Sequence, residues 1–476
     1  MTVNKFYVTT PIYYINDIPH MGHAYTTIAA DILARHYRKK YGHDHVFFMT
    51  GTDEHGAKIQ ESAKKRGQTP KKFADEVVAK YKQTWKNLNI SNNYFVRTTD
   101  PEHEKAVQWA VQKLYDQGDI YKGVYQALYC VGCEQYKTKS ELIDENICPD
   151  HNRPCEIHEE EAYMLKLSKY SQEIEKRITN DEIKVRPETR KNEILSFLKN
   201  EGLEDVAISR KKENVSWGIA LPFDQAHTTY VWVDAFLNYL TGLGWPQNME
   251  KTGLFWPADI QLMAKDIMRV HATIWQAMLM ALDLPTSKEL FIHGYFTVNG
   301  KKMSKSLGNS LEPNELAEKY GSDTVRYSVL REFPFGQDGD ISEEKMANRY
   351  TTDLGNELGN LLQRTISMIN KYEVAVTKKE TKPIEIDQDI ENLAFESALI
   401  KIWSVVKTAN QHIEAKAPWI LAKTDQKELT EVLEKVYNDL YRVGEALEPF
   451  LPETATRISK QLEDKQAEPL FPRLDN

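Results

Sequence analysis

Two hydrophobic periods alternate along the first hundred residues. FYVTTPIYYI (6–15) and HVFFMTG (45–51) are short runs rich in β-branched and aromatic residues, the pattern of buried strands. Between them AYTTIAADILARHYRKK (24–40) spaces its apolar side chains three and four apart, as a helix does, and another helix opens near His55. Strand, helix, strand, helix in that order predicts a parallel sheet. The pattern returns late in the chain, in YVWVDAFLNYL (230–240), the apolar IQLMA (260–264) before Lys265, a helix over about 268–282 and the strand LFIHGYFTV (290–298).

From about Tyr350 the β-branched runs stop and helical spacing takes over. Leu354, Leu358, Leu361, Leu362 and Ile369 form one stripe; Phe395, Leu399, Ile402, Val406 and Ile413 a second; Leu429, Val432, Val436, Leu440, Val443 and Leu447 a third. The polar stretch 378–389 reads as a loop between bundle helices. The chain is therefore expected to be multidomain α/β. A Rossmann-like catalytic domain occupies 1–118 and 226–315, split by a connective insertion over 119–225. A linker region covers 316–349, and an all-α bundle 350–476. A length of 476 residues suits about three such domains.

Charge narrows the partners. Lys and Arg number 61 against 70 Asp and Glu, a net charge of −9, so the overall field disfavours indiscriminate polyanion binding and no DNA partner is expected. No apolar run reaches the ~20 residues that span a bilayer. The N-terminus carries neither a signal-peptide core nor an Arg-rich transit pattern, so a cytoplasmic protein without membrane contact is expected. The four cysteines all lie within 130–155, too few for a disulfide framework and too clustered for chance. Cys130-x2-Cys133 followed by Cys148-x2-His151 has the spacing of two knuckles around one tetrahedral, structural zinc ion. Cys155 is the alternative partner of Cys148, in place of His151. A redox dithiol would leave Cys148 and His151 unexplained.

Three segments suit an anionic ligand. His20-Met21-Gly22-His23 opens a helix after the first strand, where backbone N–H groups and the helix dipole favour phosphate; residues three apart share a face, and Gly22 permits close approach. Gly51-Thr52-Asp53-Glu54-His55-Gly56 sits where the next strand ends, the ligand side of an open α/β sheet, although Asp53 and His55 also suit helix capping. Lys302-Met303-Ser304-Lys305-Ser306 gathers cations and hydroxyls in one loop suited to a triphosphate. It is not a P-loop, since five residues separate Gly294 from Gly300 and Lys302 stands where Ser or Thr belongs.

Together, PIYYINDIPHMGH (11–23) and KMSKS (302–306) resemble the two signatures of class I aminoacyl-tRNA synthetases, with Met21 in place of the usual isoleucine or leucine. The resemblance runs along nearly the whole chain and is to the methionine-specific branch: TGTDEHG, the knuckle insertion, YVWVDAFLNYL, KDIMRVHATIWQAML, HGYFTVNGKKMSKS and KAPW all take part. It implies ligation of L-methionine to tRNA(Met) at the expense of ATP carried with Mg²⁺. His20, His23, Lys302 and Lys305 would be the catalytic residues. Those four would bind ATP with Gly22, Asp266 at the ribose, and His293 and Gly294 at adenine. Asp53 would pair with the methionine ammonium, inside a pocket of Ile12, Tyr14, Trp232, Ala235, Phe236, Tyr239, Ile267, Val270 and His271. Asn360, Arg364 and Trp419 would read the anticodon, and 316–349 would be the stem-contact region.

Other readings of the same residues are a hydrolase with a second metal at His20, His23, Asp53 and His55, and a non-catalytic RNA-binding relative, which would have no need of a complete triphosphate site. Trp419 also suits a core anchor and Arg364 a surface ion pair. The cysteine-specific synthetase is the nearest rival in the class; its zinc takes part in substrate recognition, whereas the spacing here suits a closed structural site. The chain ends about thirty residues beyond the last helical stripe, so no C-terminal dimerising module is expected, and a monomer is.

Overall fold

The computed structural model describes residues 4–474 apart from 17, 131–134, 138–141, 145, 150–151, 299 and 303–310. Its centre is a six-stranded sheet of β1 (Phe6–Tyr14), β2 (Val46–Asp53), β3 (Tyr94–Arg97), β4 (Lys184–Arg186), β5 (Ile260–Ala264) and β6 (Glu289–His293). The order is β3-β2-β1-β5-β6-β4, every pair parallel. Every residue of β2 is buried, as expected of a strand covered on both faces. The β1–β2 register slips between Thr9 and Ile12, where Pro11 has no N–H to offer the ladder. Beyond the slip Tyr14 pairs with Asp53, placing both at the carboxyl end of the sheet.

Helix α1 (Met21–Tyr41) follows β1 and α2 (Ala57–Lys65) follows β2, as the periodicity predicts. YVWVDAFLNYL forms a helix, α4 (Val231–Thr241), whose first turn carries Asp234; α3 (Pro101–Asp116) packs beside it. LFIHGYFTV does not stay in one sheet. It breaks at Gly294-Tyr295 after β6, and its second part, β7 (Phe296–Val298), pairs with β8 (Lys301–Lys302) and β9 (Gly339–Asp340). The helix expected over 268–282 contains a π turn, His271–Trp275.

The segment 119–225 builds an antiparallel sheet on the long pairing of Ile120–Cys130 with Glu156–Leu165. It also supplies β4, the last strand of the central sheet, so it is less separate from the segments on either side than hydrophobic pattern alone suggests.

After α5 (Ser322–Arg331) and α6 (Glu343–Arg349), the C-terminal region is built of α7 (Asn360–Lys371), α8 (Phe395–Lys416), α9 (Pro418–Thr424), α10 (Gln426–Leu447) and α11 (Pro452–Asp464). Every residue of the three apolar stripes is buried there. The loop over 378–389 gives way at its end to one helical turn, Asp387–Glu391. No described helix is long and apolar enough to cross a membrane.

One fully buried ion pair joins the two halves. Arg326 of α5 donates to Asp31 of α1 at 2.8 Å and to the carbonyls of Phe450, Pro449 and Leu88 at 2.7, 3.0 and 3.2 Å. Asp31 also accepts from Arg35 at 2.8 Å and from the Ser91 backbone and hydroxyl. Burial works to raise the Asp31 pKa, but Arg326 and Arg35 outweigh it and hold the carboxyl below its usual range. Arg326→Ala should therefore reduce the unfolding free energy by about 3–5 kcal/mol. Arg326→Lys should recover only part of this, since one ammonium cannot span a carboxylate and three carbonyls. Because the Asp31 pKa is depressed, its contribution is present at neutral pH and lost as pH falls through the folded value. Denaturant unfolding measures this; a loss under about 1 kcal/mol in Arg326→Ala would remove the ion pair from the account.

Candidate active site

The carboxyl ends of β1, β2, β5 and β6 open into a cleft of about 1290 Å³. At one end His20 caps α1: its Nδ1 accepts the Gly22 N–H at 3.1 Å, and the His20 N–H is accepted by Nδ1 of His23 at 3.3 Å. The rings stack with centroids 3.8 Å apart. With both Nδ1 atoms accepting, each neutral ring carries its proton on Nε2. Burial, and then the neighbouring His20, hold the His23 imidazole well below its usual pKa. A Cβ on residue 22 would lie 2.9 Å from the His20 ring, so Gly22 is required for the cap itself. Met21 is fully buried.

His293, Gly294 and Asp266 line the cleft beside this cap. The two nitrogens of His293 are taken by the Thr26 hydroxyl (2.7 Å) and the Gly294 carbonyl (2.8 Å), so the ring offers a ligand packing rather than hydrogen bonds. Burial brings it down to about 4, which keeps it neutral. Asp266 is exposed at the cleft wall and bonds the Tyr295 hydroxyl.

The other end is apolar with one carboxylate in it. Ile12, Tyr14, Trp232, Ala235, Phe236, Tyr239, Ile267 and His271 line it; Val270 is partly buried beside them, against the same apolar cluster as Ile12, Trp232 and Ile267. Tyr239 and His271 satisfy one another: the hydroxyl meets Nε2 at 2.8 Å, while Nδ1 reaches the Ile267 carbonyl at 2.8 Å. Burial lowers His271 to about 4, so this pair presents an uncharged wall. Phe236 stands edge-on to His271 and stacks with Trp275, a fully buried residue of the π turn that periodicity gave no reason to single out.

Asp53 stands at the mouth of this pocket, nearly buried, its Oδ1 without any hydrogen-bond partner. Burial, then Asp234, push its carboxyl well above the usual range, against the pull of His55. His55 does not cap α2, whose N-cap is Gly56 with no side-chain cap hydrogen bond. Its Nδ1 is 2.6 Å from Asp234, whose other oxygen is 2.8 Å from Nε2 of His103. Burial opposes protonation of His55, but Asp234 and the other surrounding carboxylates raise it to about 10. Asp234 and His103 were not legible as site residues, because each sits in an ordinary helical pattern.

The remaining candidates are divided. Lys302 closes β8, and Lys305 lies outside the described residues. Cys130 ends the strand Ile120–Cys130, while Cys133 and His151 lie outside the described residues. Cys148 and Cys155 are both buried and share one small cluster at the hairpin formed by Ile147–Cys148 and Arg153–Pro154. Among the described residues no three metal-binding side chains are gathered; His20 and His23 are engaged in the cap, and His55 is turned to Asp234. In the bundle Trp419 is 41% exposed, which removes the core-anchor reading. Arg364 makes the expected ion pair, 2.6 Å to Glu414 at the end of α8, and Asn360 is exposed one turn earlier.

The family model for class I tRNA synthetases (M) matches residues 6–153 and 137–366. The methionine–tRNA ligase of Caldanaerobacter subterraneus subsp. tengcongensis is 45% identical, over 99% of this chain and 79% of the relative. That of Thermotoga maritima is 42% identical, over 96% and 75%. Among solved structures, Mycobacterium tuberculosis methionyl-tRNA synthetase in complex with methionyl-adenylate superposes with a TM-score of 0.87 at 35% identity, over 99% of this chain and 100% of the other. The apo form of that enzyme gives 0.80 at 32% identity, over 100% and 99%.

A buried carboxyl with one oxygen unpartnered costs the ligand-free fold stability. An acid whose folded pKa is raised loses stability for the protein as pH rises through that value. Asp53→Asn should therefore raise the stability of the ligand-free protein by about 0.5–2 kcal/mol at neutral pH. Thermal unfolding without ligands checks this, and an unchanged or lower midpoint would contradict it.

Proposed function

The chain belongs to the methionine-specific class I tRNA synthetases, and from that footing we propose how its cleft carries out the ligation. The activity is methionine–tRNA ligation: L-methionine and ATP give methionyl-adenylate and pyrophosphate, and the methionyl group passes to the 3′-terminal adenosine of tRNA. The observation that carries the residue-level reading is the lone Asp53 oxygen above an apolar pocket, facing the same cleft as the histidine cap.

In this reading the ammonium of methionine supplies the missing partner of Asp53, and its thioether enters between Phe236, Trp232 and the Tyr239–His271 pair. Polarizable sulfur against aromatic rings gains about 0.3–1.5 kcal/mol per contact. The self-satisfied Tyr239–His271 wall offers little to a polar side chain, which supports discrimination at the synthetic site, where a methylene alone is worth about 1–3 kcal/mol. A carboxylate oxygen of methionine attacks the α-phosphorus, and the bond to the β-phosphate bridging oxygen breaks. The Nε2–H groups of His20 and His23, with the N-terminus of α1, stabilise the charge on the phosphates. Lys302 and Lys305 act on the β- and γ-phosphates, Asp266 accepts from the ribose hydroxyls, and His293 and Gly294 pack against adenine. Mg²⁺ arriving with ATP neutralises further phosphate charge. In the second step a ribose hydroxyl of the tRNA attacks the methionyl carbonyl and AMP leaves.

The bundle at 350–476 contributes anticodon recognition through Asn360, Arg364 and Trp419. The exposed indole, close after the turn at Ala417, supports this, as does the Glu414 contact that brings Arg364 to the same end of α8. Segments 1–118 and 226–315 form the catalytic domain, and 316–349 the stem contact. Structural zinc in the insertion is part of the same reading. The two buried thiols of Cys148 and Cys155 suit a soft divalent ion, and Cys130, Cys133 and His151 supply the other candidate donors.

Lys305→Ala should cost about 3 kcal/mol of transition-state stabilisation in methionine-dependent ATP–pyrophosphate exchange; an unchanged rate would remove the lysine loop from the triphosphate site. Trp419→Ala should weaken tRNA charging by about 1–3 kcal/mol while leaving the exchange reaction intact. Equal losses in both assays would return the indole to a structural role.

A further inference from the structure

Residues 337–340 lie outside both halves of the central sheet, yet they close the cleft wall next to the nucleotide end. Strand β9 pairs in parallel with β7, Phe296 against Gly339 and Thr297 against Asp340, and Asp338 immediately precedes it. Asp338 lines the cleft. Its carboxylate accepts the Tyr295 N–H at 2.7 Å and the Lys265 ammonium at 2.8 and 2.9 Å. The Lys265 ammonium lies 4.5 Å from the centre of the Tyr295 ring. These two partners immediately adjoin Gly294 and Asp266, the residues assigned to adenine and ribose. A Cβ on Gly294 would come within 2.4 Å of the Asp338 nitrogen, so the two loops meet at backbone contact.

Asp340 does the same for the next turn. It accepts the Gly300 N–H at 2.7 Å and the Thr297 hydroxyl at 2.9 Å, and pairs with Lys345 of α6 at 2.8 Å. Gly300 immediately precedes β8, which carries Lys302. The Gly300 N–H, then Lys345, bring the Asp340 carboxyl down to about 2, so it is ionised throughout the working range.

We propose that Asp338 and Asp340 are positioning residues for ATP: Asp338 locks the ribose-facing and adenine-facing loops together, and Asp340 fixes the turn from which the lysine-bearing strand departs. Neither touches the reacting atoms. The assignment rests on the reading of Asp266 as the ribose acceptor. Both carboxylates also tie these loops to the region leading into the bundle, since α6 follows β9 directly and runs on into residue 350.

The test is steady-state exchange kinetics with ATP and with 2′-deoxy-ATP. Both aspartates are at least partly exposed, so their loss does not threaten the core. Asp338→Ala should raise the KM for ATP about tenfold, leave the KM for methionine within about twofold, and shrink the preference for ATP over 2′-deoxy-ATP several-fold. Asp338→Asn, which keeps an acceptor for the Tyr295 N–H but not the charge facing Lys265, should fall between. Asp340→Ala should lower kcat/KM for ATP about tenfold without altering that preference, because it acts on the phosphate end. Asp266→Ala separates the inference from the reading beneath it. If that variant keeps the full preference for ATP, the ribose assignment falls and the proposal falls with it. If it loses the preference while Asp338→Ala behaves as wild type, the proposal alone is overturned. Equal rises in both KM values for Asp338→Ala would show general loosening and overturn it as well.

Discussion

A guanidinium buried where α1 meets the C-terminal helices sets the geometry on which the cleft depends. Arg326 spends its donors on one carboxylate and three carbonyls, and these partners come from α1, from the chain before β3 and from the end of α10. Helix α1 is the member that matters for chemistry. Its first turn is the histidine cap, and Asp31 lies eleven residues on, about 16 Å along the same rod. Anything that shifts the bundle relative to α5 is felt by the helix whose tip lines the cleft. A buried ion pair with every partner satisfied is costly to break, which suits a joint between α1 and the C-terminal helices.

Within the cleft, polar groups follow two opposite policies. The Tyr239–His271 pair and His293 have their hydrogen-bonding atoms occupied by protein, so they shape the walls without competing for ligand. Asp53 is left with an unused buried oxygen, and the imidazolium of His55, itself held by Asp234, is the nearest opposing charge. The first arrangement gives selectivity by shape and polarity. The second leaves a buried oxygen unsatisfied, at the expense of stability in the empty protein.

Much of this was legible in the residues themselves. The βα alternation, the parallel sheet and the buried bundle stripes follow from periodicity, and the short motifs singled out His20, His23 and Asp53, which line the cleft. What periodicity could not give were pairings between residues distant in sequence. His55 meets Asp234 across 179 positions, and Asp31 meets Arg326 across nearly three hundred. Both are charged residues inside ordinary amphipathic patterns, where a solvated face is the default expectation. LFIHGYFTV read as one strand because its apolar run is continuous; the break at Gly294-Tyr295 is enforced by the chain that crosses against it.

The three residues of β4 bear on how this architecture can vary. They come from the connective segment, yet they occupy the outer position beside β6 that would otherwise present unpaired backbone groups along a rim of the central sheet. The segment is thus a selvedge as well as an inserted module: it hems the fabric it interrupts. The strands paired between Ile120 and Leu165 lie outside that sheet, so a change in their length leaves its rim covered, whereas a trimming that removed β4 would leave a raw margin inviting self-association.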